Sequence, residues 1–314
     1  MKKLLAGLVT VLAAVAATLY FYPPALMASA RLVETHLAGL DSQTLTVGEL
    51  DFAYYGGGPQ LGETIVMVHG FGADKDNWLR MARHFSSRYQ VVVPDLPGFG
   101  ESSRPEGSYD VGTQAERLAD FIQALEVGKV HLVGNSMGGH IVALYAARYP
   151  ERVRSLALFD NAGITAPHKS ELFNLLEQGQ PNPLVVTRTA DYDRLMDFVF
   201  VDPPILPAPL KRYLADRAIA NQARYEAIFQ QLVKRYIPLE PELPKIQAPT
   251  LLLWGDKDRV LDVSSLDVMK PLIPHASTVI MKDCGHAPMI ERPAETARHY
   301  QSFLDGLTTG TAAP

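Results

Sequence analysis

The chain has 314 residues, 47% of them hydrophobic, and a formal net charge of −5. That length suits one large domain with room for an insertion, and the slightly acidic balance argues against nucleic acid, which needs a basic face. The single cysteine, Cys284, excludes an internal disulfide.

In chain order, the first element is an uncharged apolar run, Leu4 to Tyr22, preceded by Lys2 and Lys3. At about 1.5 Å per helical residue it nearly matches a hydrocarbon core of about 30 Å, and Tyr20, Phe21 and Tyr22 suit the far interface. The reading is a transmembrane anchor over residues 1–24, with a cytoplasmic N-terminus and the remainder translocated. One alternative is a cleaved signal peptide ending at Ala28-Ser29-Ala30, although the run exceeds the usual apolar length of such peptides; the other is a buried core helix, against which an uninterrupted apolar run at the terminus argues. Small residues four apart, such as Ala6 and Thr10 or Ala13 and Ala17, allow close helix approach and hence a homodimer. Pro23 and Pro24 then open a juxtamembrane helix over residues 25–40. Its apolar stripe is Leu26, Ala30, Val33, Leu37 and Leu40, and Gly39 stands where a stop belongs. The stripe suits a membrane surface, a second copy, or packing on the chain's own domain.

From about residue 45, strand patterns alternate with helical ones. "ELDFAYYGGG", "TIVMVHG", "YQVVVPD", "KVHLVG", "VRSLALFD", "PTLLLWG" and "ASTVIMK" read as strands. "NWLRMARHFSS", "QAERLADFIQALEV", "SMGGHIVALYAARYP" and "ETARHYQSFLDGL" read as helices. Such alternation implies a mostly parallel sheet with helices on both faces. The core is assigned to residues 41–160 and 246–314. Residues 161–245 are helical, Pro-punctuated and without an obvious buried strand, and are read as a lid insertion. Apolar residues in "RLMDFVFVDPPILPAPL" suit an acyl tunnel and ordinary packing equally.

The chemistry-bearing stretch is "VGNSMGG". Gly134-x-Ser136-x-Gly138 lies between a strand and a helix, the context of a nucleophile elbow. A neutral serine needs a base, and the base needs an orienting carboxylate. "WGDKDRV" supplies Asp256 and Asp258, and "CGHAPMIERP" supplies His286, each after a strand and in the order Ser, Asp, His. "VHGFG" opens a loop whose Phe71 N–H, with that of Met137, would form an oxyanion hole. Asp95 in "PDLPGFG" reads as structural. The other histidines weighed, His84, His131, His140 and His299, fall in helix or strand patterns. No clustered metal ligands and no dinucleotide or ATP fingerprint are found, so neither metal nor cofactor is expected.

Across residues 45 to 307, "HGFGADKDNW", "PDLPGFGES", "GNSMGG", "WGDKDRV" and "CGHAPMIERP" together resemble the α/β-hydrolases. The resemblance implies catalytic Ser136, Asp258 and His286, with the acid at the end of G-x-x-D, hence Asp258 rather than Asp256. Asp160 is a second place where relatives carry the acid. Serine at the elbow excludes the dehalogenases and epoxide hydrolases, which place Asp there. With the anchor, the chain is most similar to the membrane-anchored bacterial lipases of family V. This implies a serine esterase cleaving lipid carboxylic esters, as phospholipase A1, lysophospholipase or esterase, on the periplasmic side of a bacterial inner membrane. Its partners would be the lipid substrate and the bilayer. The alternative is an esterase or carbon–carbon hydrolase acting on a small soluble substrate.

Overall fold

The computed structural model describes Thr18 and residues 20–309. The anchor assigned to residues 1–24 thus falls outside the described residues except for residues 18 and 20–24. No helix among the described residues is long and apolar enough to cross a membrane.

Helix α1 (Pro23–Ala38) starts with prolines at its first positions, where no N–H is missed, and ends at Gly39, whose φ of 62° suits a residue without Cβ. Strands β1 (Leu40–Val47) and β2 (Leu50–Gly57) form an antiparallel hairpin at one edge. β1 was not anticipated from sequence, because as an edge strand it is mostly exposed and carries no apolar alternation. There follow β3 (Thr64–Val68), α2 (Leu79–Ala82), β4 (Gln90–Pro94), α3 (Val111–Ala124), β5 (Val130–Asn135), α4 (Met137–Arg148) and β6 (Val153–Phe159). Four helices then intervene: α5 (Glu171–Glu177), α6 (Thr189–Val199), α7 (Ala208–Ala220) and α8 (Gln222–Lys234). The chain ends with β7 (Thr250–Gly255), α9 (Ser265–Leu272), β8 (Ser277–Met281), α10 (Pro288–Glu291) and α11 (Pro293–Thr309). The helix expected over 77–87 is cut short. A 3-10 turn precedes α2, and the bonds from His84 N to Met81 O and Phe85 N to Ala82 O tighten its exit.

The eight strands run in the order β1-β2-β4-β3-β5-β6-β7-β8, antiparallel at β1/β2 and β2/β4 and parallel from β4 to β8. Alternate residues of the buried strands feed two cores. Val66, Val68, Leu252 and Trp254 pack with α3, α4 and α9, whereas Ile65, Met67, Leu251 and Leu253 pack with α2 and α11. Because β4 and β5 lie on opposite sides of β3, the connections diverge at the C-terminal ends of β3 and β5, where crevices form in such sheets.

α1 presents its faces in an unusual sense. Arg31 and Glu34 turn inward to ion pairs with Asp76, Glu101 and Arg80, while Leu32, Val33 and Leu37 are more than half exposed. Of the apolar stripe read from sequence, Val33 and Leu37 therefore face away from the chain's own domain. In the 161–245 segment, Phe198 packs with Leu172 and Val260, and Phe200 joins the core under α11, whereas Val201 and Ile205 are exposed.

Candidate active site

Ser136 sits in the turn between β5 and α4, with φ 55° and ψ −121°. A non-glycine residue adopts that conformation only when its surroundings enforce it. Its N–H donates to Phe159 O (3.0 Å), and its carbonyl accepts from His140 N (3.1 Å) and Ala162 N (3.0 Å). The flanking glycines are needed for space. A Cβ on Gly134 would lie 2.5 Å from Gly138 O, and one on Gly138 would lie 2.3 Å from Val68 O. The β3–α2 loop passes directly beside the serine, since a Cβ on Gly70 would lie 3.1 Å from Ser136 Cβ.

His286 stands in the loop after β8. Its Nδ1 lies 2.8 Å from Asp258 Oδ2, and the Asp258 side chain is sealed from solvent. Asp258 Oδ1 accepts from Val260 N (2.7 Å) and Leu261 N (3.0 Å) in the loop after β7. These donors fix the carboxylate, and the carboxylate selects the His286 tautomer with the proton on Nδ1, leaving Nε2 as the basic nitrogen. Asp256, the other acid of "WGDKD", is not part of this arrangement. Asp160, at the end of β6, lies close to both Asp258 and His286, with one donor or acceptor atom of each of the three within 4.8 Å of the others. Asp258 uses both oxygens and His286 uses Nδ1 in hydrogen bonds, so the three do not form a free ligand set.

Phe71 and Met137 fall on the two loops that meet at the serine. Met137 is the first residue of α4, where N–H groups have no intrahelical acceptor. The Phe71 N–H has no acceptor among the described residues. The Phe71 ring packs edge-on against Tyr225 and Phe229 of α8, at centroid distances of 5.8 and 5.5 Å. Phe229 also borders a cavity of about 310 Å³, together with Val185, Arg194, Gln222 and Glu226. The insertion therefore contacts the loop that carries Phe71.

Two positioning side chains were not singled out by the sequence. Asn135 Nδ2 donates to Phe159 O (3.1 Å) and to His286 O (3.0 Å), tying the histidine loop to the sheet. Its signal was its place immediately before the serine. His69 is fully buried, and burial lowers its basicity, so it is neutral. Nδ1–H then donates to Gly70 O (2.8 Å) while Nε2 accepts from Leu96 N (3.0 Å). The loop is fixed from its other end by Lys75, whose Nζ donates to Asp95 (2.6 Å) and Glu101 (2.7 Å) and whose N–H donates to Asp95 (2.7 Å). Asp95 is thus structural, as the sequence suggested.

A strained serine after a central parallel strand, with a buried Asp–His pair after later strands, is the architecture of a serine hydrolase. The chain belongs to the α/β-hydrolase fold family, whose model matches residues 63–293. It is similar to a membrane phospholipase A described as a bacterial virulence factor. The identity is 62%, the coverage 98% of this chain and 99% of the other, and the TM-score of the crystal structure 0.90. It is 36% identical to lipase 3 of Moraxella sp. (strain TA144), over 87% of this chain and 88% of that protein. It is also 31% identical to the Bos taurus monoacylglycerol lipase ABHD6, over 82% and 80% of the two chains.

Proposed function

We propose that this chain is a membrane-associated serine hydrolase that cleaves carboxylic esters of lipids, acting as a phospholipase A1, lysophospholipase or esterase on glycerophospholipids. The observation that carries the reading is the 2.8 Å contact between His286 Nδ1 and the buried Asp258 carboxylate, in a loop that Asn135, next to the serine of an enforced elbow, bonds at His286 O (3.0 Å). Ser136 Oγ attacks the acyl carbonyl as His286 Nε2 takes its proton. Asp258 stabilises the imidazolium, and the Phe71 and Met137 N–H groups receive the oxyanion. His286 then protonates the leaving alcohol, giving an acyl-enzyme that water hydrolyses by the same steps. The helices of residues 161–245 form a lid over the site, a reading supported by the packing of Tyr225 and Phe229 against Phe71. The lipid class is supported by the similarity to a membrane phospholipase A and to lipases.

The proposed seat of the protein is the bacterial inner membrane, with residues 1–24 as a single-pass anchor and the catalytic domain in the periplasm. The outward Leu32, Val33 and Leu37 of α1 support a bilayer-facing helix. A homodimer would form through the anchor and α1.

The test is to supply the detergent-purified full chain with phosphatidylcholine carrying different acyl chains at its two glycerol positions, and to identify the first fatty acid released by mass spectrometry. Early release of the first-position chain, absent in Ser136→Ala, is the expected result. Brisk turnover of a short nitrophenyl ester with no release from the lipid would refute the lipid reading and favour a small soluble substrate.

A further inference from the structure

Asp160 is wholly buried, yet the proposed reaction gives it no role. Its N–H donates to Leu253 O (3.0 Å), and its Oδ1 accepts from Gly255 N (2.8 Å). Its Oδ2 is buried and receives no hydrogen bond among the described residues. One carboxylate oxygen of Asp258 and one ring nitrogen of His286 lie within 4.8 Å of an Asp160 carboxyl oxygen. Two carboxylates that close, both shielded from water, do not ionise together, so one carries a proton. The donors decide which. Asp258 accepts from Val260 N, Leu261 N and His286 Nδ1, whereas Asp160 accepts from Gly255 N alone. Each donor favours the charged form, so the proton belongs on the unsatisfied Oδ2 of Asp160.

We propose that Asp160 is a positioning residue: a neutral carboxylic acid whose Oδ2–H donates to the Asp258 carboxylate and holds it against His286. The backbone is built for this role. Asp160 has φ 44°, a conformation that Asp and Asn tolerate better than other side chains, and its Oδ1 reaches Gly255 N at the end of β7, just before the loop that carries Asp258. Burial first, and then the Asp258 charge, push the Asp160 carboxyl well above the ordinary carboxylate range, against the pull of the Gly255 N–H. The other titratable groups facing it are Glu291, which adds repulsion, and Cys284, whose thiol burial keeps protonated.

The inference rests on the acyl-transfer reading above. The two fail separately, because Ser136→Ala tests that reading and the Asp160 variants test this one in an enzyme already shown to turn over. The full chain in detergent would be assayed with a nitrophenyl ester from about pH 5 to 9, as wild type, Asp160→Asn and Asp160→Leu. Asparagine keeps a donor for Asp258, an acceptor for Gly255 N and the tolerated φ. Asp160→Asn should therefore keep kcat within about threefold and leave the acid limb of kcat/KM unmoved. Leucine removes the donor, so kcat should fall about 10- to 100-fold at little-changed KM. The acid limb should then move to higher pH, because the undelocalised Asp258 charge favours the imidazolium. An infrared carbonyl band of a protonated carboxyl at pH 7, lost in Asp160→Asn, should accompany this. An acid limb that shifts to lower pH in Asp160→Asn would mean that a real negative charge had been removed and would overturn the proposal. So would the absence of the infrared difference, which does not depend on the leucine variant folding.

Discussion

Gly138→Ala is the substitution whose effect follows most directly from the structure. The added Cβ would stand 2.3 Å from Val68 O and 2.4 Å from His69 O, where ordinary contact begins at 3.4 Å. Something must move by about 1 Å. The strand resists, because Val68 lies opposite Gly134 in the parallel β3–β5 pair at the centre of the sheet. The first turn of α4 must therefore retreat, and it carries Ser136 and the Met137 N–H with it. A 1 Å misplacement of reacting groups costs about 10²-fold, and loss of one oxyanion donor about 10²- to 10³-fold in kcat. Overpacking adds about 1–3 kcal/mol of destabilisation. The assay is steady-state hydrolysis of a nitrophenyl ester beside a urea melt, with Gly128→Ala as control. A Cβ on Gly128 meets nothing within 4 Å, so that variant should stay within about 0.5 kcal/mol of wild type. If Gly138→Ala kept kcat within threefold, α4 would have room to yield without moving the serine, and the account of the elbow would be wrong.

Other perturbations reach different parts of the same site. Asp258→Asn should lower kcat by about 10⁴, because an amide nitrogen facing His286 Nδ1 selects the wrong tautomer; a loss below tenfold in single-turnover assays would remove Asp258 from its role. Asp95→Ala leaves Lys75, which is 1% exposed, without its main counter-charge and should cost about 3–5 kcal/mol in urea unfolding. A cost below about 1 kcal/mol would show that Glu101 alone satisfies the lysine. Burial, and then the nearby Asp76 and Asp95 carboxylates, raise the Asp74 carboxyl from 3.8 to about 7. The native state thus holds this proton more tightly than the unfolded chain, so the contribution is fully present below about pH 4 and is lost as the pH rises through about 7. Asp74→Asn should remove that dependence, gaining on wild type in urea midpoints between pH 4.5 and 8. A stability difference constant across this range would contradict the raised carboxyl.

The features legible in the sequence are those enforced locally. The elbow requires glycine at 134 because backbone atoms of Gly138 and Gly139 occupy the space a Cβ would need, a requirement written within six residues, whereas the clash that requires Gly138 is with the distant β3 and its following residue. His286 and the pair Asp256 and Asp258 stood out because each follows an apolar strand run; the choice of Asp258 within the pair came from the family resemblance, and the structure sets His286 Nδ1 2.8 Å from Asp258. β1 could not be seen, because an exposed edge strand has no buried face to impose a period. Asn135 and its partner His286 O are 151 residues apart, and nothing near either announces the bond. The buried Asp160 carboxyl is the same kind of case: the sequence offers it as a rival acid, and only the structure shows that His286 Nδ1 meets Asp258 instead.

The inverted faces of α1 give the β3–α2 loop a third support. An amphipathic helix that docks on its own domain ordinarily buries its apolar stripe. α1 buries Ala38 and half-buries Leu26 and Ala30, but its inward side is also charged: Arg31 Nε donates to Asp76 Oδ2 (2.6 Å) and Nη1 to Glu101 Oε1 (2.8 Å). Asp76 also accepts from Tyr55 Oη (2.7 Å) of β2, and Glu101 also accepts from Lys75 Nζ (2.7 Å). Arg31 and Lys75 therefore share Glu101, which places the helix and the loop bearing Phe71 in one charge network. A half-buried, multiply bonded arginine is screened less than an exposed pair, so this attachment resists salt better than a surface ion pair would. Docking by charge leaves Leu32, Val33 and Leu37 free to meet an apolar environment without competing with the contacts that hold α1 to the domain. A helix attached in this way can rest on lipid and still brace the loop proposed to receive the oxyanion.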